Sequence, residues 1–150
     1  MGQLPSGLHG ADAVSVGDWI DCGSVEVTTA RIDAFAELTG DRFEIHMSTK
    51  AAQRHGFTER VAHGLLVLSM IDGLKNQAPA QLKARASMGW DWTFRHPVLA
   101  GDDLSAVIQI AGVEPAKTAT QAVLLLDVEV SNQRGEVVQS GRNRLLAYRT

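Results

Sequence analysis

Along the chain the spacing of apolar residues changes from strand-like to helical and back. Trp19, Ile20, Val25 and Val27 stand among polar neighbours, a pattern that suits a first strand interrupted at Gly23. Thr28 or Thr29 then supplies a helix cap. Ile32, Phe35, Ala36 and Leu38 fall at three-and-four spacing on one side, and Gly40 gives a C-terminal stop. Asp41 to Met47 has no period and is expected to be irregular. Ser48 or Thr49 caps a short helix through Arg54, closed at Gly56, and Phe57 to Val61 leads on as a loop over a pocket.

From His63 to Asn76 the apolar positions are nearly continuous: Leu65, Leu66, Val67, Leu68, Met70, Ile71 and Leu74. A helix with so little polar face predicts burial on nearly all sides. Everything after Pro79 reads as strands, over Arg85 to Phe94, Asp103 to Val113, Thr118 to Ser131 and Val137 to Tyr148. Turn signals stand at Pro97, Gly101, Pro115 and Gly135, and Asn132 to Gly135 forms a hairpin connection. One strand and helices followed by four long strands predict an α+β fold, an antiparallel sheet curled around one long central helix. The turn-rich opening, residues 1–15, is expected to be a flexible arm, and residues 16–150 a single domain.

Composition narrows the function. With 45% hydrophobic and 21% charged residues the chain is a globular protein. A net charge of -3 offers no broad positive field for a polyphosphate backbone, so nucleic acid is not an expected partner. Cys22 is the only cysteine, which excludes an intrachain disulfide and a thiolate zinc site. The first residues carry neither a basic start nor an apolar run, and no stretch is long enough to span a bilayer; the expectation is a cytoplasmic protein without a membrane partner.

Chemistry-bearing residues concentrate between the helices. Gly40-Asp41-Arg42-Phe43-Glu44-Ile45-His46 is followed by Arg60-Val61-Ala62-His63-Gly64-Leu65-Leu66, and downstream stands Phe94-Arg95-His96-Pro97-Val98-Leu99-Ala100-Gly101-Asp102. These segments resemble the MaoC-like, (R)-specific enoyl-CoA hydratases, whose motif runs Gly-Asp-x-Asn-Pro-aliphatic-His and is followed by His-Gly-aliphatic at the start of the central helix. The resemblance covers roughly Val16 to Tyr148. It implies a single hot-dog domain, at least a homodimer, an acyl-CoA thioester as substrate with no further cofactor, and reversible hydration of a 2-enoyl-CoA.

The resemblance also assigns roles: Asp41 and His46 match the catalytic pair, and Gly64 the glycine whose N–H holds the thioester oxygen. Elementary chemistry agrees with those residue types. Hydration must remove a proton from water as it attacks the β-carbon and deliver one to the α-carbon, which a carboxylate and an imidazole sharing one water can manage. The charge that develops on the thioester oxygen suits the unpaired N–H groups at a helix start, where a glycine permits close approach.

The pattern departs from the family at Phe43-Glu44, where Asn-Pro is usual, so Phe43 is expected to wall the acyl site. Asp72 stands where relatives carry a small polar residue, either to read a polar acyl group or to bond within a subunit contact. His63 is a candidate third group at the site, against a simpler role capping the helix. Trp90, Trp92 and Phe94 alternate on one face and read as core or interface. His55 and His96 are read as structural or solvated, and no metal site is expected, since the histidines show no ligand spacing. Two other readings stay open, a non-catalytic hot-dog subunit that binds acyl-thioesters and a thioesterase, because fold alone does not fix chemistry.

Overall fold

The computed structural model describes Met1–Thr150. Its main sheet has five strands in the order β2 (Trp19–Glu26), β5 (Asp103–Pro115), β6 (Gln121–Ser131), β7 (Val137–Tyr148) and β4 (Ala84–Phe94), antiparallel throughout. The period of two is clearest on β5. Leu104, Ala106, Ile108 and Ile110 are buried while Ser105, Val107 and Gln109 are exposed, so one face of the sheet is apolar and must be covered. The helix α4 (Gly64–Lys75) covers it, with Leu66, Val67 and Ile71 in one cluster with Ile108, Leu124 and Leu126. Each side chain of this size contributes about 1.5–3 kcal/mol when fully buried.

That helix is not wrapped on nearly all sides as its sequence predicts. Leu65 is 61% exposed and Ser69 is exposed as well. The sheet curls over one flank only, and the other flank of α4 faces outward beside β4. Strand β4 pairs only with β7, so its outer edge is open too. Trp90 and Trp92 are half-buried against the core from this strand, and Phe94 is 54% exposed.

Helix α1 (Thr29–Thr39) starts at Thr28, whose hydroxyl accepts from the Arg31 N–H, and stops at Gly40, which sits at φ 78°. Ile32 and Ala36 are buried, but Leu38 is 82% exposed rather than on the core side. Six residues from Ile32, it lies outside the apolar arc of a 3.6-residue helix. The stretch expected to be irregular contains one helical turn, α2 (Glu44–Met47), and α3 (Thr49–Arg54) follows with Ser48 as its cap.

The opening residues do not stand off as an arm. Strand β1 (Gly7–His9) pairs in parallel with β3 (Ala80–Leu82), Leu4, Ala11 and Val14 are buried, and Asp12 meets Arg149 at 3.0 Å. Two three-residue strands leave no periodic signature, and their partner lies more than seventy residues away. On β2, Cys22 is buried, and burial, reinforced by Asp21 and opposed by Lys75, pushes its thiol up to about 11. No helix is long and apolar enough to cross a membrane.

Candidate active site

The site is built where α1 ends. Gly40 turns the chain in the left-handed conformation, the Asp41 N–H donates to the Thr39 hydroxyl at 3.1 Å, and the Phe43 N–H donates to Asp41 Oδ1 at 3.2 Å. This Asx turn leads into α2, which carries His46. The α2 segment is then tied to the strand-like stretch before α4. The Val61 N–H donates to the Ile45 carbonyl at 3.0 Å, and Arg60 Nε donates to the His46 carbonyl while its guanidinium pairs with Asp33 on α1.

His46 is 8% exposed and its Nδ1 lies 2.6 Å from the Val61 carbonyl. A carbonyl only accepts, so Nδ1 carries the hydrogen and Nε2 is left with a free lone pair. Burial holds the imidazole below its ordinary 6.5, with His63 and Arg60 adding to that effect and the Val61 bond and Asp41 opposing it. His46 is therefore kept in the form that can take a proton.

His63 does not cap α4: its side chain makes no capping bond. Instead its Nε2 donates to the Asp41 carbonyl at 2.8 Å, and its ring stacks on that of His46 with centroids 3.9 Å apart. Atoms of Asp41, His46 and His63 come within 4.8 Å of one another. The pair that the family resemblance implies thus meets in space, with His63 beside it.

Gly64 opens α4, so its N–H belongs to the first turn and has no intrahelical acceptor. A Cβ built on it would fall 2.2 Å from the Phe94 ring, which packs directly on the glycine. Gln139 Nε2 donates to the Gly64 carbonyl at 3.2 Å, and the Trp92 indole N–H donates to Gln139 Oε1 at 2.7 Å. This buried glutamine was not apparent from motif spacing, because it comes from a strand far along the chain, whereas Phe94, read as core or interface, opens one of the segments that carry the resemblance.

His46 and Gly64 line one cavity of about 320 Å³, together with Phe94, His96 and Gln139. His96, expected to be structural or solvated, therefore stands at the cavity wall. Asp41 is exposed and borders the pair without lining this cavity. Phe43 is 55% exposed and meets the His46 ring edge-on at 6.0 Å, while Glu44 turns outward to His55. Asp72 is not brought to the site: it lies about two turns down α4 and pairs with Lys75 at 2.8 Å. A larger hollow of about 690 Å³ on the outer sheet face contains neither His46 nor Gly64, and its Asp127 and Arg142 are paired with each other.

The family model of the MaoC like domain matches residues 15–132. The chain belongs to the MaoC-like domain family. This MaoC-like domain is 32% identical over 95 residues to a 3-hydroxybutyryl-CoA dehydratase of Methylorubrum extorquens, a match spanning 61% of this chain and 58% of that relative. It is 27% identical over 114 residues to an (R)-specific enoyl-CoA hydratase of Aeromonas caviae, spanning 75% of this chain and 80% of that one. In three dimensions it superposes on a protein from Archaeoglobus fulgius described as a monoamine oxidase regulatory protein, with TM-score 0.87 and 27% identity over 98% of this chain and 99% of that one. The architecture of this MaoC-like domain is the hot-dog fold.

Proposed function

We propose that this MaoC-like domain reversibly hydrates a 2-enoyl thioester, carried by coenzyme A, to the (R)-3-hydroxyacyl thioester. The observation that carries the reading is one cavity lined both by His46, whose Nε2 is left without a hydrogen-bond partner, and by Gly64, whose N–H lies in the first turn of α4. Water held between His46 Nε2 and the Asp41 carboxylate loses a proton to Nε2 as its oxygen bonds the β-carbon. Electron density moves through the double bond to the thioester oxygen, which the Gly64 N–H receives. The protonated His46 then returns its proton to the α-carbon, closing the cycle. Proton transfers of this kind contribute roughly 10²–10⁴-fold, and an oxyanion donor roughly 10²–10³-fold.

The names of the two curated relatives support the reaction class. The open flank of α4 and the free edge of β4 support a homodimer, since a second copy laid there would cover both. A cytoplasmic setting suits a coenzyme A substrate. The test is the loss of the conjugated enoyl-thioester absorbance from crotonyl-CoA and longer enoyl-CoAs, with wild type beside Asp41→Asn and His46→Gln. Turnover in wild type and its loss in both variants is the expected outcome; unchanged turnover in either variant sinks the mechanism.

A second reading, a subunit that binds acyl-thioesters without hydrating them, draws on two observations: Phe43-Glu44 replaces Asn-Pro, and Asp41 borders the cavity rather than lining it. Wild type that binds crotonyl-CoA and leaves its absorbance intact favours that reading.

A further inference from the structure

One side chain touches both members of the proposed pair. The His63 ring lies between His46 on one face, at 3.9 Å and 26°, and the edge of Phe35, at 5.0 Å. Its Nε2–H reaches back 22 residues to the Asp41 carbonyl. The residue is 2% exposed, and its Nδ1 is buried without any hydrogen-bond partner. Leaving a buried polar atom unpaired is unfavourable, so a side chain needed only to fill the gap between Phe35 and His46 would be better apolar. What phenylalanine cannot do in that place is donate to the backbone of Asp41.

We infer that His63 is a positioning residue for the water-activating pair. Its flat face keeps the His46 ring in the plane that directs Nε2 to the cavity, and its donor fixes the backbone on which the Asp41 carboxylate is carried. Both anchor points matter because of how the pair is mounted. Asp41 sits in an exposed turn whose own bonds, to Thr39 and Phe43, are local to that turn. The bond from His63 is the tie from that turn to the start of α4, so Asp41, His46 and the Gly64 amide share one frame. Small misplacements of reacting groups are costly even where the chemistry itself is untouched.

This inference rests on the proposed hydratase reading, and its test has a readout that does not need turnover. The groups facing His46 are Asp41 from the turn after α1, Arg60 from the stretch before α4, and His63 itself. The midpoint of His46 is followed by imidazole NMR titration, with His46→Gln fixing the assignment, in wild type, His63→Phe and His63→Gln. Phenylalanine keeps the ring but removes the donor and the neighbouring imidazole, whereas the amide nitrogen of glutamine reaches about where Nε2 stands. In His63→Phe the His46 midpoint rises, kcat on an enoyl-CoA falls roughly 10- to 100-fold with KM held within about twofold, and the melting temperature stays near wild type. His63→Gln regains most of that kcat.

An unmoved His46 midpoint together with wild-type kcat in His63→Phe overturns the inference. So does an equal loss in both variants that follows a lowered melting temperature, since that marks a packing role alone. If wild type hydrates no enoyl-CoA, the proposed reaction fails, but amide hydrogen exchange in the Asp41 turn still decides the positioning role. Exchange there that quickens in His63→Phe and slows again in His63→Gln upholds it, and exchange unchanged in His63→Phe removes it.

Discussion

His46 gives its Nδ1 hydrogen to the Val61 carbonyl across 2.6 Å, and that single bond determines which ring nitrogen is available for chemistry. Turning the ring over would put Cδ2 in place of Nδ1 and leave the Val61 carbonyl unpaired. The bond also ties the proton acceptor to the same short stretch that leads into α4 and its first-turn amide.

The acid limb of activity follows from this burial. His46 is held below its ordinary 6.5 chiefly by desolvation. Hydration needs the neutral ring, so kcat/KM falls along a one-proton acid limb centred below 6.5. The same sign governs stability. A histidine whose folded value is depressed adds its full stability above the unfolded value and loses it as pH falls through the folded one. A rate profile with its acid limb centred at or above the ordinary histidine value contradicts this account.

Asp41 and His46 separate function from stability in different degrees. Asp41 is exposed, so Asp41→Asn should melt within a few degrees of wild type while kcat falls roughly 10²-fold or more. His46 is buried and bonded, and His46→Leu leaves the Val61 carbonyl unpaired at about 1–3 kcal/mol. Thermal melts beside initial rates check both, and an Asp41→Asn protein with full activity would falsify its assignment to the water.

Gly64→Ala forces a methyl group against the Phe94 ring, 2.2 Å from its nearest atom. Because Phe94 is half exposed, the ring swings aside rather than the helix, costing about 1–3 kcal/mol as an overpacked contact. The double variant Gly64→Ala, Phe94→Ala should recover most of that stability. Non-recovery would mean that the helix start, not the ring, had moved.

Gln139 spans the Trp92 indole and the Gly64 carbonyl while being 2% exposed. Gln139→Leu strands a donor and an acceptor together, and denaturant unfolding should register about 1–3 kcal/mol or more. Trp92→Phe removes only the donor and should cost less. Equal costs would argue that the two bonds are not carried by one side chain in solution.

Much of this was legible in the sequence wherever a local rule sufficed. The Thr28 cap, the left-handed stop at Gly40, the Ser48 cap and the alternation along β5 all arise from neighbours a few residues apart. The family motif likewise led to Asp41, His46 and Gly64. What escaped depends on distant partners. The clasp of Gly7–His9 with Ala80–Leu82, the stack of His63 on His46 and the reach of Gln139 to Gly64 join residues 17 to 75 positions apart. Asp72 is the instructive exception. Its Lys75 partner stands three residues on, within reach of a simple helix rule, yet the family position drew attention to the acyl group instead.

The state of Cys22 has a practical side. It is the chain's only thiol, enclosed on β2 and held in its unreactive protonated form, with an ionisation near 11. A disulfide-exchange dye added to the folded protein at neutral pH therefore gives a silent background. Any colour that develops with an acyl-CoA reports free coenzyme A and nothing else, so thioester cleavage can be separated from hydration in the same cuvette.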